Sequence, residues 1–265
     1  MRSVKFFAWL MILGGLLSGV ICLLLIVLPP HTRPDTAITP ADNRFSMVLA
    51  AYMATTIAVL GAGLRTRLAW AWSGTLTICF IFAFVGLALP FIAAGAKSAS
   101  AASTAVVAFF SVIIVMPSLL FFIHLLRKRI RESFEVGEMS TLWVRVLAVQ
   151  YFIGVGFYLC EAFSPHKRAL FGIVRDPIVI VTQTILMAAL CFFIARGLYK
   201  FNETARKWAI GTSIYSFIQY ACFVFLDHEG KSKPGFRLFT LGITTALYAL
   251  TIWYLYSRRV DFTNT

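Results

Sequence analysis

Apolar runs of membrane-spanning length recur along the chain at 6–28, 45–64, 68–92, 104–126, 142–163, 178–195, 208–226 and 236–256, and the segments between them hold most of the charge. A helix rises about 1.5 Å per residue, so the first run reaches roughly 34 Å, enough to cross a hydrocarbon layer of about 30 Å. Backbone amides in lipid have no water to bond, and these continuous runs lack the alternation of barrel strands. All eight are therefore predicted to be helices. Asp42 signals a start for the second run, and Asp176-Pro177 for the sixth, a cap followed by proline at the first helical position. Pro29-Pro30 and Pro165 are stops. The expected fold class is all-α, an integral membrane bundle of eight transmembrane helices.

Composition narrows the class. Of 265 residues, 60% are hydrophobic and 13% charged, about half the charged share of a soluble domain, and the mean hydropathy is +0.83. A water-soluble globule, a disordered chain and a disulfide scaffold are excluded. Arg2 and Lys5 ahead of the first apolar run resemble the start of a signal peptide, but the run is longer than a signal core and lacks a small-residue cleavage site, so it reads as the first span. The five cysteines all lie in apolar stretches without C-x-x-C spacing and read as small core residues.

A net charge of +13 would point to nucleic acid in a soluble protein. Here the basic residues fall between spans, where they act as retention charges, and no nucleic-acid partner is expected. Fifteen of the 24 lysines and arginines lie on the side of the N-terminus in an eight-span layout and nine on the other, which predicts both termini cytoplasmic. All six tryptophans, Trp9, Trp70, Trp72, Trp143, Trp208 and Trp253, fall near the same ends, where indoles favour the headgroup level.

The two halves align. Val4-Lys5 and Pro30-His31-Thr32-Arg33 bound the first span as Val144-Arg145 and Pro165-His166-Lys167-Arg168 bound the fifth. Gly63-Leu64 leads through Arg67 to Trp70-Ala71, and Gly197-Leu198 through Arg206 to Trp208-Ala209, with a turn four residues longer. The last helix of each half runs into Arg129-Ile130 and Phe134, or Arg259-Val260 and Phe262. These matches predict a tandem duplication, with residues 1–134 as the first four-helix repeat and 135–265 as the second. An even number of spans per half makes the copies parallel. The repeat unit resembles small four-helix bacterial membrane proteins of unassigned function. That resemblance implies a four-helix membrane fold of the bacterial inner-membrane type and no particular activity.

Candidate chemistry is sparse. His31, His166 and the trio Asp227, His228 and Glu229 fall at the outer helix ends as a polar cluster, but none has metal-ligand spacing, and no metal is expected. His124 is the one histidine within a span and has no facing partner for haem, so no cofactor is expected. Gly15-x-x-x-Gly19 would let the first helix pack closely, and Pro90 and Pro117 would kink the third and fourth. The basic run from Arg127 to Arg131 could hold anionic headgroups, although loop retention explains it as well. No hydrolase, protease or nucleotide-binding motif occurs, so no catalytic residue is assigned.

The three glutamines, Gln150, Gln183 and Gln219, all lie in spans of the second half, and Glu161 is a carboxylate within an apolar run. Polar groups in lipid face the bundle, where they tie helices together or line a cavity. The chain is expected to be a non-enzymatic binding or interaction protein within the bilayer, acting on lipid or a membrane-protein partner. The alternative is a small secondary transporter or permease whose cavity for a small-molecule substrate is lined by Gln150, Gln183, Gln219 and Glu161. Convergence of the glutamines on one cavity discriminates the two.

Overall fold

The computed structural model describes residues 2–27, 40–95, 101–134, 139–163, 168–170, 173–225 and 234–263. Eight long helices follow one another: α1 (Arg2–Val27), α2 (Pro40–Arg65), α3 (Ala69–Gly95), α4 (Ala101–Leu126), α6 (Met139–Phe163), α7 (Pro177–Tyr199), α8 (Glu203–Phe225) and α9 (Pro234–Ser257). Short helices α5 (Lys128–Glu132) and α10 (Arg259–Thr263) follow α4 and α9. Between α6 and α7 a small antiparallel hairpin, β1 (Arg168–Leu170) with β2 (Ile173–Arg175), pairs Ala169 with Val174.

Among the described residues each predicted run lies on one of the long helices, except that Leu68 precedes α3. Six helices among the described residues, α1 to α4, α6 and α7, are long and apolar enough to cross a membrane. α8 and α9 have 23 and 24 residues but are broken up by Thr, Ser, Tyr and Gln. Large apolar side chains cover the outside, with Leu17, Phe109 and Leu186 each 65% exposed, the surface a lipid solvent requires.

Helix starts were partly readable from the chain. Asp176 takes the cap position before Pro177, although its carboxylate makes no capping hydrogen bond. Asp42 does not cap α2, which begins at Pro40 and already includes it. α8 starts before its apolar run because the Asn202 carboxamide oxygen accepts from the amides of Thr204 at 2.8 Å and Ala205 at 3.2 Å.

The helices pair as α1 with α2, α3 with α4, α6 with α7, and α8 with α9. Gly15 makes the first pairing close, since a Cβ there would stand 2.6 Å from the Ala54 carbonyl and 2.7 Å from the Ala58 amide. Pro90 and Pro117 lie inside α3 and α4, both of which continue past them. The halves meet where α2 and α3 touch α6. There the Tyr52 hydroxyl donates to the Ile153 carbonyl at 3.0 Å, and Thr77 reaches the Val146 carbonyl at 3.3 Å.

Two apolar clusters sit at the end of the bundle that carries the first and last described residues. One joins Val4, Ala8, Leu64 and Leu125 to Phe134; the other joins Val144, Ala148, Leu198 and Leu255 to Phe262. The turns beside them share one geometry. Leu68 and Asn202 donate backbone N–H groups to the carbonyls of Gly63 and Gly197, at 2.9 and 2.8 Å. The residues just before the two donors, Arg67 and Phe201, have φ of 62° and 55°. A Cβ on Gly63 would run into Ala71, and one on Gly197 into Ala205. The expectation of a longer second turn is therefore corrected. α3 and α8 restart at the same spacing after their glycines, Ala205 takes the place of Ala71, and the Trp208-Ala209 match lies one helical turn too late.

Trp72 also departs from expectation. Trp9, Trp70, Trp143, Trp208 and Trp253 are exposed residues, whereas Trp72 is fully buried and its indole N–H donates to the Leu125 carbonyl at 3.2 Å.

Candidate polar cavity in the second half

At mid-length of the second four long helices, a cavity of about 200 Å³ opens between them. α6 presents Gln150, Tyr151, Gly154 and Tyr158 along one stripe, at the three- and four-residue steps of a helix face. α7 adds Met187 and Cys191, α8 adds Thr212, Ser213 and Ser216, and α9 adds Tyr248 and Thr251. Gly154 leaves space, since the nearest atom to a Cβ built there is the Cys191 sulfur at 3.9 Å.

The wall is rich in neutral donors and acceptors. The Tyr151 hydroxyl lies 2.9 Å from the Thr212 hydroxyl and donates to the Ala209 carbonyl at 3.2 Å. Ser213 also turns back to that carbonyl, at 2.8 Å. Hydroxyls bonded to their own helix are satisfied in apolar surroundings while keeping lone pairs toward the cavity. Among the described residues no Lys, Arg, Asp or Glu lines the space. What such a wall can do chemically is hold a small uncharged polar molecule by hydrogen bonds; nothing in it supplies a strong acid, base or charge clamp.

The four residues singled out from the sequence separate. Gln150 lines the cavity and its side chain is exposed. Gln183 instead ties α7 to α8, its amide donating to the Tyr215 hydroxyl at 3.0 Å. Gln219 and Glu161 continue the cavity stripes, three residues beyond Ser216 and Tyr158, but lie outside the wall. Gln219 is half-buried, and Glu161 is buried to 2% exposure. His31, His166, Asp227, His228 and Glu229 lie outside the described residues. Among the described residues no three His, Cys, Asp or Glu side chains stand close enough together to hold a metal ion. His124 meets the Ser3 hydroxyl through Nε2 at 3.0 Å.

Sequence reasoning missed Tyr151, Tyr158, Tyr248 and the hydroxyl face Thr212-Ser213-x-x-Ser216. The signal was present, in hydroxyl residues repeating at helical spacing within runs read only for hydrophobicity.

At the end where α8 begins, Arg206 is 7% exposed and forms a two-point pair with Glu203, Nε to Oε2 and Nη2 to Oε1, both at 2.6 Å. Its Nη1 donates to the Leu255 carbonyl at 3.2 Å. The guanidinium beside Glu203 holds that carboxyl below the ordinary carboxylate range, and the carboxylate in turn raises the arginine.

No family model, curated protein or solved structure matches the chain.

Proposed function

We propose that this chain is a non-enzymatic integral membrane protein that binds a small uncharged polar solute within the bilayer and lets it pass, as a small permease. In this reading it crosses eight times as a parallel four-plus-four duplication, 1–134 and 135–265, in a membrane of the bacterial inner type with both termini cytoplasmic. The matched turns at Gly63 and Gly197 and the paired clusters around Phe134 and Phe262 support the duplication. The second copy has acquired the binding site, and because only Gln150 of its glutamines lines the cavity, the reading rests on the hydroxyl face of α6, α8 and α9 and not on convergence of the glutamines.

The observation that carries the proposal is the cavity itself. Polar side chains at mid-length of membrane helices are costly in lipid and persist where they serve a path or a ligand. Its volume of about 200 Å³ suits a solute of a few heavy atoms, somewhat larger than the apolar void of about 150 Å³ that holds benzene. An all-neutral wall disfavours ions, whose desolvation it could not offset.

The test is osmotic swelling of liposomes containing the purified protein, with glycerol and urea as probes against sodium chloride. The reading expects faster entry of at least one neutral probe than in protein-free liposomes, no added salt entry, and loss of the effect in Gly154→Leu. Equal rates with and without protein, for every neutral probe, would overturn it.

A further inference from the structure

A second recess, of about 570 Å³, lies outside the polar cavity, on the junction between the halves. Its walls are Thr55, Thr56 and Val59 of α2 and Val149, Phe152 and Ile153 of α6, together with Tyr52. Trp70 near the start of α3 and Tyr199 at the end of α7 stand at its mouth, 37% and 38% exposed. These helices are of the apolar, membrane-spanning kind, so what reaches the recess from outside is lipid.

A cation stands next to the mouth, against the Tyr199 ring, without lining the recess itself. Arg145 lies four residues before Val149 on the same α6 stripe, one turn nearer the helix start, and its guanidinium stands 5.9 Å over the centroid of the Tyr199 ring. Its Nε is buried and has no hydrogen-bond partner among the described residues. At that distance the ring attracts the cation without using its N–H groups, and the two Nη groups form a planar fork that matches phosphate oxygens. Basic pockets between membrane helices at the headgroup level suit anionic lipid heads.

We propose that this groove holds one anionic phospholipid, an acyl chain lying between α2 and α6 and the phosphate bound by Arg145, with Trp70 and Tyr199 flanking the head. The medium supplies the chain, the stripe of α6 aligns chain and charge, and the cation selects the head. Groove and polar cavity lie on different faces of α6, so lipid binding here stands independently of solute binding.

Native mass spectrometry of the full chain, released from detergent with phosphatidylglycerol or phosphatidylcholine of identical chains, tests the assignment. The wild type is expected to retain one phosphatidylglycerol in preference to phosphatidylcholine by about fivefold, the effect of one well-placed cation. Arg145→Gln should remove the preference while leaving some lipid bound, and Val59→Trp, which narrows the groove, should lower retention of both lipids. If Arg145→Gln fails to fold, the wild-type preference together with the Val59→Trp result decides the matter. Equal retention of the two lipids by the wild type, unchanged preference in Arg145→Gln, or a second copy of the chain in place of lipid would overturn the proposal.

Discussion

Trp72 and Arg206 make the same contact at corresponding places in the two halves. The Trp72 indole donates to the Leu125 carbonyl and the Arg206 guanidinium to the Leu255 carbonyl, each at 3.2 Å. Each follows the alanine that fits against the glycine of its turn, Ala71 against Gly63 and Ala205 against Gly197. The last carbonyls of a helix have no partner within it, and here a side chain from a neighbouring helix supplies one for α4 and for α9. One half uses a neutral donor. The other uses a buried cation, which brings Glu203 with it.

Removing the neutral donor should leave the Leu125 carbonyl unsatisfied in an apolar cluster. Trp72→Phe is expected to cost about 1–2 kcal/mol, read as a lower melting temperature of the detergent-solubilised protein with unchanged helical circular dichroism. An unchanged melting temperature would mean that the hydrogen bond contributes nothing.

The Glu203–Arg206 pair should make stability fall in acid. Its partner lowers the Glu203 pKa in the fold, so the stabilisation is complete above the unfolded carboxyl value of about 4.3. It is lost as pH drops through the lower folded value. Arg206 stays charged throughout. Glu203→Gln is expected to cost about 1–3 kcal/mol at neutral pH and to flatten the acid side of the curve. Melting of the wild type and variant from neutral pH down to acid measures both, and a variant with the wild-type acid slope would refute the assignment.

The two turns should tolerate the same change equally badly. Gly63→Ala and Gly197→Ala each place a methyl against an alanine methyl, so each should cost about 1–3 kcal/mol from overpacking. Ala205→Gly combined with Gly197→Ala is expected to restore most of the loss. Thermal melts of the single and double variants test this, and additive losses in the double variant would contradict the geometry.

The spans were legible because a lipid solvent makes each helix apolar along its whole length, a pattern that survives without knowledge of neighbours. The ends were less so. Asn202 caps α8 but was not read as a start, since the run Glu203-Thr204-Ala205-Arg206-Lys207 carries no apolar signal, and reading hydrophobicity placed the start at Trp208. The same displacement made the Trp-Ala pair look like a longer turn. Trp72 could not be told from the interfacial tryptophans by position, since only the α4 end packed beside it supplies the carbonyl that makes burial favourable.

The site was legible only in outline. Gln150 was found by type, whereas Gln183 was indistinguishable from it in sequence and went to Tyr215 instead. Thr212 and Ser213 each hydrogen-bond to a carbonyl of their own helix, which is how Ser and Thr behave in many apolar helices. Only the convergence of four helices shows that they also border open space. The second half differs from the first in this respect: its last two long helices are the polar ones.

Cys191 reports directly on whether the cavity admits water. It lines the space, whereas Cys79 in α3, buried to the same degree, lines neither recess described above. Variants retaining one or the other as the sole cysteine would be exposed, in membrane vesicles, to a small water-soluble methanethiosulfonate, and the rate of labelling followed by mass spectrometry. Both side chains are buried, so the decisive comparison is within one site: Cys191 is expected to label faster than Cys79 and to slow at least about tenfold in Gly154→Leu. Equal, slow labelling at both positions, or labelling of Cys191 indifferent to Gly154→Leu, would contradict a solute-accessible polar cavity in the second half.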